Sequence, residues 1–191
     1  MNHLLLLSCL AVVLLAGCKR PANEAAAPAA APASAVATTP KPEPAPAAAA
    51  TAKPDAPTLQ VKTLDGKDYD LKAHRSKWVV VNFWATWCGP CLKEMPELSA
   101  LDAMREHIEV IGLAYEEIEP ADMRSFLQKH PVVYPVAILD VYDPPKDFAT
   151  PRGLPMTYLI APDGKVAKQF LGPVTAKDVD AAIASAGGPV G

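Results

Sequence analysis

The chain has 191 residues, half of them apolar, with 18 Lys and Arg against 21 Asp and Glu and a formal net charge of −3. The lysines are scattered and form no basic cluster, which argues against nucleic acid as a partner. Four cysteines and 21 prolines are spread so unevenly that the chain divides before any element is assigned.

Residues 4–17, LLLLSCLAVVLLAG, form one apolar run. At about 14 residues it is short for a membrane-spanning helix and right for the core of a signal peptide. The segment before it, Met1-Asn2-His3, lacks the Lys or Arg such a signal usually carries. The run ends in Leu15-Ala16-Gly17-Cys18, similar to the bacterial lipobox, in which a lipid joins the cysteine sulfur and cleavage falls just before it. Residues 1–17 are therefore expected to be a lipoprotein signal, with Cys9 removed and Cys18 as the lipidation site. A plain apolar signal with a cysteine at this place by chance is the alternative.

Residues 18–57 are expected to be the lipidated cysteine and a disordered tether. Ala and Pro dominate, no aromatic residue occurs, and little that is large can be buried, so ordering entropy has nothing to offset it. Prolines interrupt every Ala run before a stable helix length and bias the chain toward polyproline II, with a reach on the order of 100 Å. Residues 58–191 remain as one domain of ordinary size. No internal repeat is present.

In chain order, LQVKT (59–63) and KDYDL (67–71) flank Asp65-Gly66, a hairpin signal. WVVVNFWA (78–85) is a nearly continuous apolar run, expected as a central strand buried on both faces. From 88 to 107, Leu92, Met95, Leu98, Leu101 and Met104 recur at helical spacing, giving a helix with one apolar face and Pro96 as a kink. IEVIGLAY (108–115) reads as a second buried strand, and PADMRSFLQKH (120–130) as a helix opened by Pro120. VYPVAIL (133–139) follows, then a proline-rich loop over 140–153. MTYLI (156–160) and VAKQFL (166–171) flank Pro162-Asp163-Gly164-Lys165 as a second hairpin, and 175–186 closes as a helix with Val179, Ala182 and Ile183 inward. This order predicts an α/β domain, a mixed sheet covered by helices.

The chemistry sits in NFWATWCGPCLKEMP, residues 82–96. Once the signal is removed and Cys18 carries lipid, only Cys88 and Cys91 remain as thiols. A disulfide closed over two residues removes little chain entropy, so as a structural staple the pair would contribute almost nothing. Cys88 falls where a buried strand gives way to a helix, so the N–H groups and dipole of the first turn point at its sulfur and favour a thiolate. Gly89 leaves room for a partner to approach, Pro90 suits the first turn, and Cys91 lies one turn on, able to close a disulfide with Cys88. The four histidines, His3, His74, His107 and His130, stand at no ligand spacing, so no resident metal and no cofactor are expected. Transient Cu(I) binding by two thiolates stays open.

WATWCGPC with LKEMP after it, then VIGLAYEE, then GLPMTYLIAPDGKV, resembles the membrane-associated thioredoxin-like disulfide reductases of the TlpA/ResA/DsbE type, over about residues 58–188. The resemblance implies a thioredoxin fold with an N-terminal β-hairpin and the family's insertion over 116–134. It implies a cis Pro155 facing the cysteine pair, with Leu154 offering its backbone to the substrate; Trp87, Gly89 and Pro90 complete the expected substrate contacts. Thioredoxin itself has a buried aspartate where this chain has Asn82, and Glu94 matches the acidic residue the TlpA/ResA type carries three positions after the second cysteine. Glu94 is thus the candidate base for Cys91. The expected activity is reduction of disulfides in exported proteins, apocytochrome c or copper-site cysteines among them. The resemblance also implies a monomer in the bacterial periplasm, held to the membrane through Cys18 and re-reduced by a membrane thiol donor of the DsbD/CcdA kind. A disulfide oxidase or isomerase, and a Cu(I) chaperone of the same fold, are the alternatives.

Overall fold

The strand WVVVNFW organises the domain. Residues Trp78–Trp84 form β3, and all seven are buried. A strand buried on both faces needs a neighbour on each side for its backbone groups and a packed layer above and below. The structure, a computed structural model that describes residues 54–189, supplies both. Before β3 come β1 (Gln60–Lys62) and β2 (Asp68–Asp70), and after it α1 (Gly89–Met104), β4 (Ile108–Ala114), α2 (Pro120–Lys129), β5 (Val136–Ile138), β6 (Met156–Ile160), β7 (Val166–Leu171) and α3 (Ala176–Ser185).

The main sheet has the order β5-β4-β3-β6-β7, with β3, β4 and β5 parallel and β6 and β7 antiparallel to their neighbours. The mixed sheet and the N-terminal hairpin are present as the sequence predicts; β1 and β2 pair separately, antiparallel. Each predicted strand is a residue or more longer than the observed one except β6 and β7, because terminal residues fall outside the hydrogen-bonded ladder. A short 3-10 turn over Leu71–His74 has no counterpart in the sequence reading; Asp70 caps it by accepting the Lys72 N–H. Residues 140–153 carry no strand or helix, in keeping with their prolines.

Strand parity sorts the core. Trp78, Val80 and Trp84 point to the face where α1 packs Met95, Leu98 and Leu101, α2 packs Met123, and α3 packs Val179 and Ile183. Val79, Val81 and Phe83 point to the opposite face, covered by Leu59, Tyr69, Leu71 and Phe148 from the hairpin region and the long loop. Asn82 shares the parity of Val80 and Trp84, so its amide is carried to the α1 side. One expectation for α1 needs correction. Met104 is 78% exposed, because the helix ends there at Arg105 and leaves the last apolar position beyond the sheet. On α3, Ala182 is half-buried and packs inward against the core beside Val179 and Ile183, as expected. Pro96 stands inside α1 without ending it. Among the described residues no helix is long and apolar enough to cross a membrane.

Leu98 tests whether this packing carries the stability. It is fully buried between α1 and the sheet, and Leu→Ala at such sites costs about 2–5 kcal/mol, lost transfer energy plus the residual cavity. Leu98→Ala should lower the urea midpoint accordingly, while Met104→Ala should leave it within about 0.5 kcal/mol.

Candidate active site

Cys88 is the N-cap of α1, in an extended conformation, with Gly89 and Pro90 as the first helical residues. Its sulfur accepts the Cys91 N–H at 3.3 Å, so the helix start already supplies the contact that would stabilise a thiolate there. Cys88 and Cys91 are joined as a disulfide, S–S 2.05 Å. Cys88 keeps 4% of its surface and Cys91 none, so in this oxidised form only the first sulfur's residue is reachable from outside. Trp87 is 70% exposed beside the pair, and Gly89 and Pro90 are exposed as well.

One turn beyond Cys91, Glu94 is 3% exposed. A solvated helix-face acid is the alternative to a partly buried base at this position, and the side chain turns inward. Asn82 donates from Nδ2 to Glu94 Oε1 at 2.8 Å and to Thr157 Oγ1 at 2.9 Å, and the Val174 N–H donates to Glu94 Oε2 at 2.8 Å. Asn82 and Thr157 face each other across β3 and β6, so the amide bridges two strands and the helix. Burial raises the Glu94 carboxyl from its ordinary 4.5 to about 7, against the lowering effect of the Val174 N–H and the Asn82 amide. A carboxyl titrating near 7 one helical turn from Cys91 is suited to exchange a proton with that cysteine's thiol in the reduced protein at neutral pH.

The Leu154–Pro155 peptide is cis. Pro155 is buried, and its carbonyl accepts the Gly172 N–H at 2.9 Å. Leu154 is half-buried against the core cluster that holds both cysteines. Residues 172–174 therefore tie Pro155 at one end to Glu94 at the other. The sequence reading missed Thr157, Val174, Thr86 and Glu116. Of these only Thr157 left a trace, a hydroxyl inside the apolar run MTYLI, which a buried strand tolerates only with a partner. Thr86, two residues before Cys88, donates both its N–H and its hydroxyl to Glu116, at 2.6 and 2.9 Å.

A groove of about 860 Å³ lies elsewhere, lined by Tyr69, His74, Asp102, Glu109, Leu127 and Tyr134 among others, and contains none of the residues the sequence predicts for the redox site. Among the described residues no group of three or more His, Cys, Asp or Glu is placed to hold a metal ion. Cys18 and the expected signal and tether lie outside the described residues.

Comparison with known proteins shows the family and the fold. The redoxin family model matches residues 43–183. A thiol-disulfide oxidoreductase ResA of Bacillus thuringiensis is 35% identical over 131 residues, covering 66% of this chain and 73% of the relative. The ResA of Bacillus subtilis is 33% identical over 129 residues, covering 63% and 68%. Among solved structures, a Chlorobium tepidum protein assigned as the thiol:disulfide interchange protein DsbE superposes with a TM-score of 0.60 at 25% identity, over 70% of this chain and 96% of that one. StoA of Bacillus subtilis superposes with 0.54 at 21% identity, over 68% and 98%, and speaks for the fold alone. The chain thus belongs to the redoxin family, has the thioredoxin fold, and, as a thiol–disulfide oxidoreductase of the TlpA/ResA/DsbE type, is an enzyme of the protein-disulfide reductase class.

Proposed function

We propose that Cys88 and Cys91 are the redox couple, that Glu94 manages the proton of Cys91, and that the protein reduces disulfides of exported proteins from a membrane anchor. The observation that supports it most is the disulfide at the N-cap of α1 with a buried, hydrogen-bonded carboxyl one turn below it.

In the reduced protein the Cys88 thiolate attacks one sulfur of the substrate disulfide. A Cys88–substrate disulfide forms and the other substrate sulfur leaves as a thiolate. Cys91 then gives its proton to the Glu94 carboxylate and attacks Cys88 Sγ, releasing the second substrate sulfur and closing Cys88–Cys91. Two electrons pass to the substrate. A dithiol donor of the DsbD/CcdA kind in the membrane returns them by the reverse sequence. Trp87 and Leu154 offer apolar contact to the substrate around the couple, while Gly89 and Pro90 leave the approach open. Apocytochrome c cysteines and copper-site cysteines of an oxidase are the substrate classes this reading favours. The test is capture in living cells: Cys91→Ala stalls at the mixed disulfide, and the trapped proteins should be exported and cysteine-paired. Capture of none would reject the reading.

Location rests on Cys18. With lipid on its sulfur the chain is held at a membrane and faces the bacterial periplasm, the tether giving the domain its reach. Cys18→Ser should move the protein from the membrane to the soluble fraction and leave reduction of a model disulfide in vitro unchanged. Continued tight membrane association would assign the anchor to another element.

A further inference from the structure

The connection between β3 and α1 carries the reactive sulfur; its ends, Ala85 and Cys88, are buried in the core, and its middle, Thr86 and Trp87, is not. Its internal hydrogen bond runs from the Cys88 N–H to the Ala85 carbonyl at 3.1 Å. Trp87, 70% exposed, gives it no apolar anchor. Thr86 lies outside β3 and outside α1, so neither the ladder nor the helix takes up its N–H. Glu116 does so from two residues past the end of β4. Glu116 Oε1 accepts the Thr86 N–H at 2.6 Å, and Oε2 accepts the Thr86 hydroxyl at 2.9 Å. Both oxygens act as acceptors, the role of a carboxylate, and two parallel bonds fix orientation as well as distance. The Tyr115 N–H, donated to the Trp84 carbonyl at 2.8 Å, locks the residue before Glu116 to the end of β3. The clamp is thus anchored at its Glu116 end to the end of β3.

We infer that Glu116 is a positioning residue of this redox centre, which fixes the turn presenting Cys88 and whose charge holds the couple toward the reducing side. The inference rests on the reading that Cys88 is the attacking thiol. The helix start draws the Cys88 sulfur toward the thiolate, and stabilising the reduced form in that way makes a couple more oxidising. A carboxylate bonded to the backbone two residues away works in the opposite sense: it disfavours the thiolate, weakens the dithiol form, and makes the dithiol a better electron donor. Orientation and charge are separable. Gln at this position keeps an oxygen for the Thr86 N–H and removes the charge, whereas Ala removes both.

The full-length protein, its Glu116→Gln variant and its Glu116→Ala variant are each equilibrated at pH 8 with glutathione buffers, and each is assayed for reduction of a model disulfide. Glu116→Gln should move the equilibrium toward the dithiol by about two- to threefold, about 9–14 mV toward oxidising. Glu116→Ala should slow reduction about tenfold, less than the roughly hundredfold that a misplacement of a reacting group by about 1 Å can cost, and Gln should restore most of that rate. A Gln variant with the wild-type equilibrium, or shifted toward the disulfide, overturns the inference, and so does an Ala variant with the wild-type rate. If the wild-type protein itself fails to reduce the disulfide, the underlying reading of the cysteine pair has failed instead.

Discussion

Replacing Cys88 by Ser is expected to bring disulfide reduction down to the uncatalysed rate, because a hydroxyl at this helix start does not ionise at neutral pH and cannot attack sulfur. Replacing Cys91 by Ala has a different outcome: one attack succeeds and the reaction stops at the mixed disulfide. The two variants separate the roles because the two cysteines differ in access, Cys88 keeping 4% of its residue surface and Cys91 none. Brief alkylation of the reduced protein should accordingly label Cys88 well ahead of Cys91. Preferential label on Cys91, or a Cys88→Ser variant that keeps turning over, would reverse the assignment.

Glu94→Gln is expected to slow exchange by roughly tenfold or more, toward the ~10²–10⁴-fold that general acid–base catalysis typically contributes. The wild-type rate should rise as pH passes through about 7, where Glu94 loses its proton and can accept that of Cys91. The Gln variant should lack that rise. Stability gives an independent reading. A carboxyl whose folded value lies above its unfolded one binds more protons in the folded state between the two, so it makes the protein less stable as pH rises across that window. For Glu94 the window runs from 4.5 to about 7. The unfolding free energy of the oxidised wild type, relative to the Gln variant, should therefore fall by roughly 3 kcal/mol between pH 4.5 and pH 8. A pH-independent difference together with a wild-type exchange rate for the Gln variant would make Glu94 a structural residue only.

The parts of this site that were legible in the sequence are those written in local spacing. A Cys-x-x-Cys at a strand-to-helix boundary declares itself within a dozen residues, and the apolar run of β3 declares the central strand. Glu94 was legible as a candidate, partial burial included, by its distance from Cys91, because it shares the buried side of α1 with Cys91, Met95, Leu98 and Leu101; the Asn82 amide that meets it there was not legible. Its other partners are tertiary. Thr157 is 75 residues from Asn82 and Val174 is 80 from Glu94, so no periodicity links them. The same holds for Thr86 and Glu116, brought together only because β3 and β4 run parallel and end side by side. Met104 shows the reverse failure, a helical periodicity that continues past the layer it packs on.

The reducing power of the Cys88–Cys91 couple tests the account most directly. The dipeptide between the cysteines, Gly89-Pro90, is that of thioredoxin, whose potential is about −270 mV, and the Glu116 carboxylate pushes in the same direction. Equilibration of the full-length protein with dithiothreitol or glutathione buffers, with the dithiol fraction read by alkylation, should place the couple near that value. A potential above about −180 mV, the value of an isomerase, would contradict a reductase, since each 30 mV is about 1.4 kcal/mol and the two classes do not overlap.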